Sequence, residues 1–296
     1  MQYLIDASVY VFRAYYSMPD DMVDKLGNPV NALYGFCRFL GDFMEQVNPE
    51  HVAVLFDESL SSSFRTDIYP AYKANRDPAP EELKRQFGQC RRFTRALGIM
   101  EHGSPHYEAD DLIGTLVEHG RSVNRPSTIV TRDKDLAQLV SKHDVFWDFA
   151  GRGKIRYDEV RDVFGVQPEQ IADFLALAGD AVDNIKGVPG IGRKTATVLL
   201  ENFGSLEGIY ANLDRVHEIN VRGAKTLGEK LVAYKQDAEL ARKLTGIACD
   251  APFDNPEEAL RRSRPKLGEI NALYDEADIG TALRRQAERI ADLARD

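Results

Sequence analysis

The chain has 296 residues, of which 43% are hydrophobic and 29% are charged, and its formal net charge at pH 7 is -9. This length indicates about two domains, and the acidic balance excludes a protein that binds nucleic acid through overall positive charge alone. The three cysteines lie far apart and form no C-x-x-C, which excludes a disulfide framework and a structural zinc site. No apolar run reaches the roughly 18 residues of a membrane span, so we expect a cytoplasmic protein with no membrane partner.

Short apolar runs followed by carboxylates predict the strands of a parallel sheet. Runs of about four to six apolar and β-branched residues are typical of buried parallel strands. Three such runs precede acids, namely 1–5 before Asp6, 51–56 before Asp57, and 128–131 before Asp133 and Asp135. Helical stretches separate them, at 32–45, 81–97, 107–120 and 135–140. This alternation predicts an α/β fold with a mostly parallel central sheet flanked by helices, whose sites lie at the carboxyl ends of the strands.

The chain changes character after about residue 162. In order, the pattern predicts a helix at 167–179, a glycine-rich segment at 187–192, a helix at 194–203, a strand or extended segment at 244–253, and helices over 256–296. We therefore expect three regions, namely an α/β core over 1–165, an appended helical lobe over 166–260, and C-terminal helices over 261–296 that pack on the core.

Nine acidic residues are candidates for one metal site: Asp6, Asp57, Glu108, Asp110, Asp111, Asp133, Asp135, Asp180 and Asp183. Clustered carboxylates cannot all be ionised without compensating cations. Hard divalent ions prefer oxygen ligands, so the set predicts Mg²⁺ or Mn²⁺, and two such ions about 4 Å apart would bind and polarise a phosphodiester. Taken singly, a strand-end Asp is also explained as a helix cap, and Glu108 to Asp111 as the acidic first turn of a helix.

Residues 65–95 form a basic segment, with eight cationic and four acidic side chains and a local net charge of +4. Tyr69 and Tyr72 lie among the cations. Cations that follow the backbone and aromatic rings that stack on bases hold single-stranded nucleic acid in many proteins. This composition therefore predicts a nucleic-acid contact, and the alternative is a solvated amphipathic helix with an exposed linker.

The glycine-rich segment predicts a phosphate contact. Gly187, Gly190 and Gly192 would let the backbone approach a phosphate closely, and the next helix would present free N–H groups. Additional donors follow at once, from Arg193, Lys194 and Thr195. A plain connector between two helices is the alternative.

Together these segments resemble the 5′-nuclease family, which includes flap endonucleases, phage 5′-exonucleases and the N-terminal nuclease domain of bacterial DNA polymerase I. The motifs that carry the resemblance are D-A-S-V-Y-V-F-R-A-Y-Y, F-D-E-S-L-S-S-S-F-R-T-D-I-Y-P-A-Y-K-A-N-R, Y-E-A-D-D-L, T-R-D-K-D-L and G-D-A-V-D-N-I-K-G-V-P-G-I-G-R-K-T-A. The resemblance implies a PIN-like, resolvase-like core with a helical arch at about 65–95. It also implies that the lobe over 166–260 is a helix-hairpin-helix region that binds duplex DNA.

The activity that the resemblance implies is a structure-specific 5′-nuclease, both flap endonuclease and 5′–3′ exonuclease. Such an enzyme hydrolyses DNA phosphodiester bonds with two divalent metal ions during DNA replication and repair. The implied substrate is branched or 5′-flap DNA. Because no polymerase region follows, we expect a stand-alone, monomeric bacterial enzyme associated with the nucleoid.

The resemblance also implies roles for individual residues. Asp6, Asp57 and Glu108 match ligands of a first metal, Asp110 lies between the two ions, Asp133, Asp135 and Asp180 match ligands of a second, and Asp111 and Asp183 match further acids that act through water. Lys73 and Arg76 are expected to face the metals and stabilise the transition state, and Arg13 to contact the substrate. Arg65, Tyr69, Tyr72 and the hairpin residues would contact DNA. The carbonyls of the hairpin loop would bind K⁺.

Two other functions are compatible with parts of the sequence. A metal-dependent ribonuclease of the PIN type would use the same acids, but it needs neither the basic segment nor the glycine hairpin. A DNA-junction binder without catalysis would use the hairpin, but it does not need the complete set of acids. We therefore expect the nuclease.

Overall fold

The computed structural model describes residues 1–58, 63–149 and 151–294. Four residues of the F-D-E-S-L-S-S-S-F-R motif, 59–62, lie outside the described residues, as do the last two residues of the predicted C-terminal helices. No helix in the described ranges has both the length and the apolar character needed to cross a bilayer.

A six-stranded sheet forms the centre of the molecule, in the order β3-β2-β1-β4-β5-β6. Its strands are β1 (Gln2–Asp6), β2 (Val52–Asp57), β3 (Met100–Ser104), β4 (Ser127–Val130), β5 (Val145–Asp148) and β6 (Gly153–Arg156). All neighbouring pairs are parallel except β5 and β6. The predicted fold class, a mostly parallel α/β sheet flanked by helices, is confirmed.

The helices, in chain order, are α1 (Ala7–Ser17), α2 (Asn31–Val47), α3 (Phe64–Ile68), α4 (Glu81–Ala96), α5 (Ala109–Ser122), α6 (Tyr157–Phe164), α7 (Ile171–Ala178), α8 (Arg193–Phe203), α9 (Leu206–Ala211), α10 (Ala224–Ala233), α11 (Lys235–Thr245), α12 (Pro256–Ala259), α13 (Leu267–Glu276) and α14 (Thr281–Leu293). Three 3₁₀ helices occupy Lys134–Leu139, Pro168–Gln170 and Leu213–Glu218. The helix predicted at 135–140 is thus a 3₁₀ helix.

The two faces of the sheet pack against different helices, because successive strand residues point to opposite faces. On β1, Leu4 packs in a cluster with α5, α7, α8, α10 and α11. The next residue, Ile5, packs in a second cluster with α1, α2, α4, α13 and α14. The lobe that follows residue 166 therefore shares one continuous apolar core with the sheet.

Two predicted segments differ from the observed structure. Of the two alternatives predicted for 244–253, the strand is not formed: α11 ends at Thr245, and the following residues run without regular structure along α5, where the Ala251 N–H donates to Thr115 Oγ1 at 3.0 Å. The helical arch predicted at about 65–95 is not one unit, because α4 is a core helix with Leu83, Cys90 and Phe93 buried against α2 and α13. The turns between α3 and α4 separate the two helices, because Pro78 and Pro80 prevent a continuous helix there.

Candidate active site

Acidic residues from five parts of the chain meet at one edge of the sheet. Asp6 and Asp57 are the last residues of the neighbouring strands β1 and β2, and Asp133 follows β4. The chain order of the strands reverses between β1 and β4, which is where doubly wound sheets form their binding crevice. The remaining acids are at the start of α5 (Glu108, Asp110), in the 3₁₀ helix (Asp135) and after α7 (Asp180, Asp183).

Hydroxyl groups orient the two strand-end carboxylates. Ser8 Oγ donates to Asp57 Oδ2 at 2.6 Å, and the Ala109 N–H donates to Asp57 Oδ1 at 2.9 Å. Thr131 Oγ1 donates to Asp6 Oδ2 at 2.8 Å. Ser8 and Thr131 were not among the predicted site residues, although each lies next to an acidic motif. Their bonds hold the two carboxylates toward the sheet edge.

Burial and mutual repulsion raise the pKa values of several of these acids. Burial, followed by repulsion from Asp57 and Asp133, raises the pKa of Asp6 to about 7. Burial and Asp133 likewise raise the pKa of Asp135 to about 7. The pKa of Asp110 lies well above its usual value, through burial and then repulsion from Asp133 and other site acids. These acids therefore form a cluster whose negative charge the cations of the protein compensate only in part, through Lys134 beside Asp135.

Three cations compensate the other acids. Lys73 Nζ lies 2.8 Å from Glu108 Oε2 and 3.9 Å from Asp183 Oδ2, and Arg76 also donates to Asp183. Burial alone would lower the pKa of Lys73, but attraction to these two carboxylates raises it above its usual value. Lys134 Nζ lies 3.3 Å from Asp180 Oδ2. Lys134 was not among the predicted site residues, although it lies between two candidate ligands.

The donor set fits hard divalent ions. It consists of carboxylate oxygens, which Mg²⁺ and Mn²⁺ prefer. Asp135 Oδ1 is buried and accepts no hydrogen bond, and Lys134 Nζ lies 3.8 Å from it, so one oxygen at the cluster is free to accept a closer ligand. Among residues 1–58, 63–149 and 151–294, no three acidic, histidine or cysteine side chains form a ready metal shell. The bonds of Glu108 and Asp183 to Lys73 and Arg76 partly explain this, because they occupy oxygens that a metal would need.

The turn between α3 and α4 is attached to the loop after α7. The Lys73 N–H donates to the Asp183 carbonyl at 3.0 Å, and Asn75 Nδ2 donates to the Ala181 carbonyl at 3.0 Å. Asn184 Nδ2 donates back to the Ala71 carbonyl at 2.6 Å. Lys73 has φ +54°, which is unfavourable for a residue with a side chain and typical of functional sites. These bonds hold this conformation.

An open space beside this turn gives access to the cluster. A cavity of about 840 Å³ lies between the turn and α4, and Asp57, Lys73 and Arg76 line it on the acidic side. Phe87 and Gly88 of α4 line the opposite side. Arg13 is an exposed residue of α1, the helix that begins directly after Asp6. Its predicted contact with the substrate stays a prediction.

Arg65 and Asp111 do not occupy the predicted positions. Arg65 is 3% exposed and donates to both carboxylate oxygens of Asp111, each at 2.7 Å, so it presents nothing to DNA. Asp111 is fully buried, and its oxygens also accept the N–H groups of Glu108 and Ala248. With two hydrogen bonds at each oxygen, Asp111 is a partner of Arg65 and not a direct metal ligand.

Tyr72 and the cations of α4 also differ from the prediction. Tyr72 is 4% exposed, and its hydroxyl lies 3.1 Å from Glu108 Oε2, so its ring is not available to stack on a base. Tyr69 is half-buried against the core. The arginines of α4 pair with carboxylates of the protein, namely Arg85 with Asp24, Arg91 with Glu58 and Glu101, Arg92 with Glu276, and Arg95 with Glu101.

The glycine hairpin joins α7 to α8. Gly187 is buried at φ +61°, and a Cβ there would lie 2.3 Å from the Gly179 nitrogen, so Gly187 serves internal packing and not a DNA contact. Gly190, at φ +81°, and Gly192 are exposed. Arg193 lies over the Phe174 ring at 4.7 Å, Lys194 is exposed, and Thr195 is half-buried.

Lys230 of α10 adds a cation that the sequence analysis missed. A Cβ at Gly190 would lie 2.9 Å from Lys230 Nζ, so the ammonium group lies on the exposed turn of the hairpin. No motif identifies this residue, because only the packing of α10 brings it near the turn.

Comparison with known proteins identifies the family. Residues 1–165 match the family model described as the 5′–3′ exonuclease N-terminal resolvase-like domain, and residues 166–288 match the 5′–3′ exonuclease C-terminal SAM fold. The chain belongs to the 5′–3′ exonuclease family. It is 36% identical over 273 residues to a 5′–3′ exonuclease of Buchnera aphidicola subsp. Baizongia pistaciae, and the match covers 92% of this chain and 89% of that protein.

Other family members are longer or more distant. The chain is 39% identical over 276 residues to DNA polymerase I of Pseudomonas aeruginosa, and the match covers 93% of this chain but only 30% of that protein. The structure of the T5 D15 flap endonuclease in a complex with DNA and metal ions has a TM-score of 0.66 at 19% identity, and covers 100% of this chain and 99% of that one. At this identity the likeness shows the fold. The family that the motifs implied is confirmed.

Proposed function

We propose that this family member hydrolyses DNA phosphodiester bonds at 5′ flaps and free 5′ ends during replication and repair, as a monomer in the bacterial cytoplasm. The observation that carries this proposal is the meeting of acids from β1, β2, β4, α5 and the loop after α7 beside an open cavity of about 840 Å³. Such a set of oxygen donors suits two divalent ions, Mg²⁺ or Mn²⁺.

We propose two groups of candidate ligands among these acids, following the family resemblance. Asp6, Asp57 and Glu108 would hold one ion, and Asp133, Asp135 and Asp180 the other, with Asp110 between them and Asp183 nearby. Bound divalent ions would polarise the phosphodiester and lower the pKa of a bound water. Ser8 and Thr131 keep Asp57 and Asp6 oriented for this purpose.

Lys73 and Arg76 are the cations proposed to act on the scissile phosphate. Each is now bonded to a site carboxylate, Glu108 or Asp183. If bound divalent ions compensated the charges of Glu108 and Asp183, Lys73 and Arg76 would become available to bind a phosphate that lies between them and the acids. A preorganised cation is most effective where charge develops in the transition state.

The hairpin lobe is proposed to hold the duplex arm. Gly190 and Gly192 are exposed at the start of α8, with Lys194 and Lys230 close by. Backbone N–H groups at a helix start and nearby cations bind phosphates without reading sequence. We include K⁺ at the carbonyls of this loop as part of the proposal.

A cleavage assay tests the proposed function against its alternatives. Labelled 5′-flap DNA, single-stranded RNA and blunt duplex DNA are each incubated with the protein in Mg²⁺ or EDTA. We expect Mg²⁺-dependent cleavage of the flap, and its loss in Asp57→Asn and Asp110→Asn with flap binding in Ca²⁺ retained. Asp20→Asn, an exposed acid outside the site, is the control. Preferential RNA cleavage would favour the ribonuclease, and binding without cleavage would favour the junction binder.

A further inference from the structure

The buried pair Arg65–Asp111 connects three parts of the chain that are distant in sequence. The guanidinium of Arg65, in α3, donates two parallel hydrogen bonds to the carboxylate of Asp111, in α5, each at 2.7 Å. Arg65 Nε also donates to the Leu244 carbonyl at 2.8 Å, and Nη2 to the Gly246 carbonyl at 2.8 Å. The pair thus joins the nuclease core to the segment that leaves the hairpin lobe.

Asp111 completes the connection from its own side. Its Oδ1 accepts the Ala248 N–H at 2.9 Å, and its Oδ2 accepts the Glu108 N–H at 3.0 Å. Glu108 is the N-cap residue of α5, and its carboxylate lies in the acid cluster, with Arg65 Nη1 3.7 Å from Oε2. A shift of Asp111 would therefore move both the start of α5 and residues 246–248.

The geometry leaves Asp111 no oxygen lone pair directed at a metal, although it lies next to Asp110. A bidentate Arg–carboxylate pair is also the most directional ionic contact that side chains form. Breaking such a buried pair leaves an uncompensated charge in the interior. The Arg65–Asp111 pair thus fixes the orientation of α3, α5 and residues 244–248 relative to one another.

We propose that Arg65 and Asp111 are positioning residues that hold Glu108 and Asp110 in register with the duplex-binding lobe. This inference rests on the proposed function, because it assigns to the pair the alignment of that same site. In this proposal the hairpin holds the duplex arm, and residues 244–248 lead out of the lobe that contains the hairpin. The hydrogen bonds of the Arg65–Asp111 pair then fix the start of α5 relative to these residues. A misplacement of about 1 Å costs on the order of 100-fold in rate.

The test uses two variants. In Asp111→Asn, the amide N–H₂ would face the donor groups of Arg65. Arg65→Lys keeps the positive charge but cannot donate two parallel hydrogen bonds to one carboxylate. The control is Asp144→Asn, because Asp144 is also buried and bonded to an arginine, Arg121, at 2.9 Å. Asp144 also accepts the Ser127 N–H at the start of β4, the opposite edge of the sheet from the acids. Thermal unfolding first establishes the temperature at which all variants are folded.

Three quantities are then measured for each variant: the number of Mn²⁺ ions bound, the flap dissociation constant in Ca²⁺, and the single-turnover cleavage rate at saturating enzyme in Mg²⁺. We expect Asp111→Asn and Arg65→Lys to keep the Mn²⁺ number and to keep flap affinity within about threefold. Their cleavage rates should fall about 10–100-fold. Asp144→Asn should lose stability but keep the wild-type rate.

Specific results would overturn the proposal. Loss of a bound Mn²⁺ in Asp111→Asn would make Asp111 a ligand, and an unchanged rate would make the pair structural only. If Asp111→Asn does not fold, the neutral pair Arg65→Gln with Asp111→Asn replaces it, because it leaves no buried charge uncompensated. Absence of flap cleavage by the wild-type protein would overturn the proposed function itself, which separates that failure from failure of the positioning role.

Discussion

Two basic segments of the chain have opposite electrostatic surroundings. In residues 65–95, all eight cations lie within ion-pair distance of a carboxylate of the protein. In residues 186–230, the described structure pairs Arg215 with Glu218 but gives no carboxylate partner to the six other cations, Lys186, Arg193, Lys194, Arg222, Lys225 and Lys230. The number of positive residues in a segment therefore does not predict the positive charge that it offers to DNA.

The pairing of each cation decides what it can do. A cation without a partner can bind a phosphate without breaking a bond, whereas the arginines of α4 would first have to leave Glu101, Glu58 or Glu276. Lys73 and Arg76 differ from the α4 arginines because their partners, Glu108 and Asp183, are themselves candidate metal ligands. Within the first segment, only these two cations are thus expected to reach the substrate.

The largest effect is expected at Lys73. Lys73→Ala keeps a Cβ, so the backbone strain at φ +54° is unchanged and the side chain beyond Cβ is lost with its ammonium group. Loss of a preorganised cation at the developing charge costs about 3–4 kcal/mol, or about 10²–10³ in rate. We expect that fall in the single-turnover rate at saturating enzyme, with little change in flap affinity.

Lys84→Ala is the control for Lys73, because Lys84 lines the same cavity but pairs with Glu81 on its own helix. Its rate should stay close to that of the wild-type protein. Equal rates for the two variants would mean that the whole segment acts only by attracting DNA, and the distinction between Lys73 and the α4 cations would be lost.

The next effect concerns the acids whose charge the cations of the protein compensate only in part. Because the pKa of Asp6 is raised from 3.8 to about 7, the folded protein binds more protons than the unfolded chain between these pH values. The free energy of unfolding in EDTA should therefore fall as pH rises from about 4 to about 7. We expect the melting temperature to drop by about 5–10 °C between pH 5 and pH 8, and Mg²⁺ to stabilise the protein most at pH 8.

Asp6→Asn should reduce this pH dependence and leave the part that comes from Asp110 and Asp135, whereas the exposed Asp20→Asn should leave it unchanged. Calorimetric or spectroscopic melting curves at several pH values are sufficient. A melting temperature that rises from pH 5 to pH 8 in EDTA would contradict the assignment of uncompensated charge to this cluster.

The fold was predictable from the sequence where local patterns decide it, and the site only in part. The apolar runs that end at Asp6 and Asp57 identified two strands and the edge where the acids meet. The limits predicted for α4, 81–97, differ by one residue from those observed. Its role was not predictable, because the partner of Arg92 is Glu276, 184 residues away.

The same reason explains the errors at other sites. Arg65 was predicted to contact DNA because it lies in a family motif at the start of the basic segment, but its partner Asp111 is 46 residues away and buried with it. Lys230 could not be recognised, since only the packing of α10 brings its ammonium group to the hairpin turn. Propensity and motif spacing report local structure, whereas ion pairing depends on tertiary contacts.

A smaller effect is expected at the hairpin. Each phosphate contact contributes about 0.9 to the slope of log K against log salt concentration. The double variant Lys194→Gln with Lys230→Gln should therefore lower the slope by about 2 and weaken duplex binding, with the single-turnover rate at saturating enzyme unchanged. Binding measured at several salt concentrations gives the slope. An unchanged slope would mean that this surface does not bind phosphates.

The smallest effect is expected at Arg92, and it tests whether a cation that is paired with a carboxylate of the protein stays out of DNA binding. Arg92 and Glu276 are 46% and 52% exposed, and exposed ion pairs contribute about 0–1 kcal/mol to stability. Arg92→Gln should thus lower the free energy of unfolding by less than about 1 kcal/mol and leave the salt slope of DNA binding unchanged. Denaturant unfolding and the same binding titration measure both quantities. If Arg92→Gln lowers the slope as much as the loss of one hairpin cation does, the Arg92–Glu276 ion pair opens when DNA binds. Ion pairing in the free protein would then not decide which cations bind DNA.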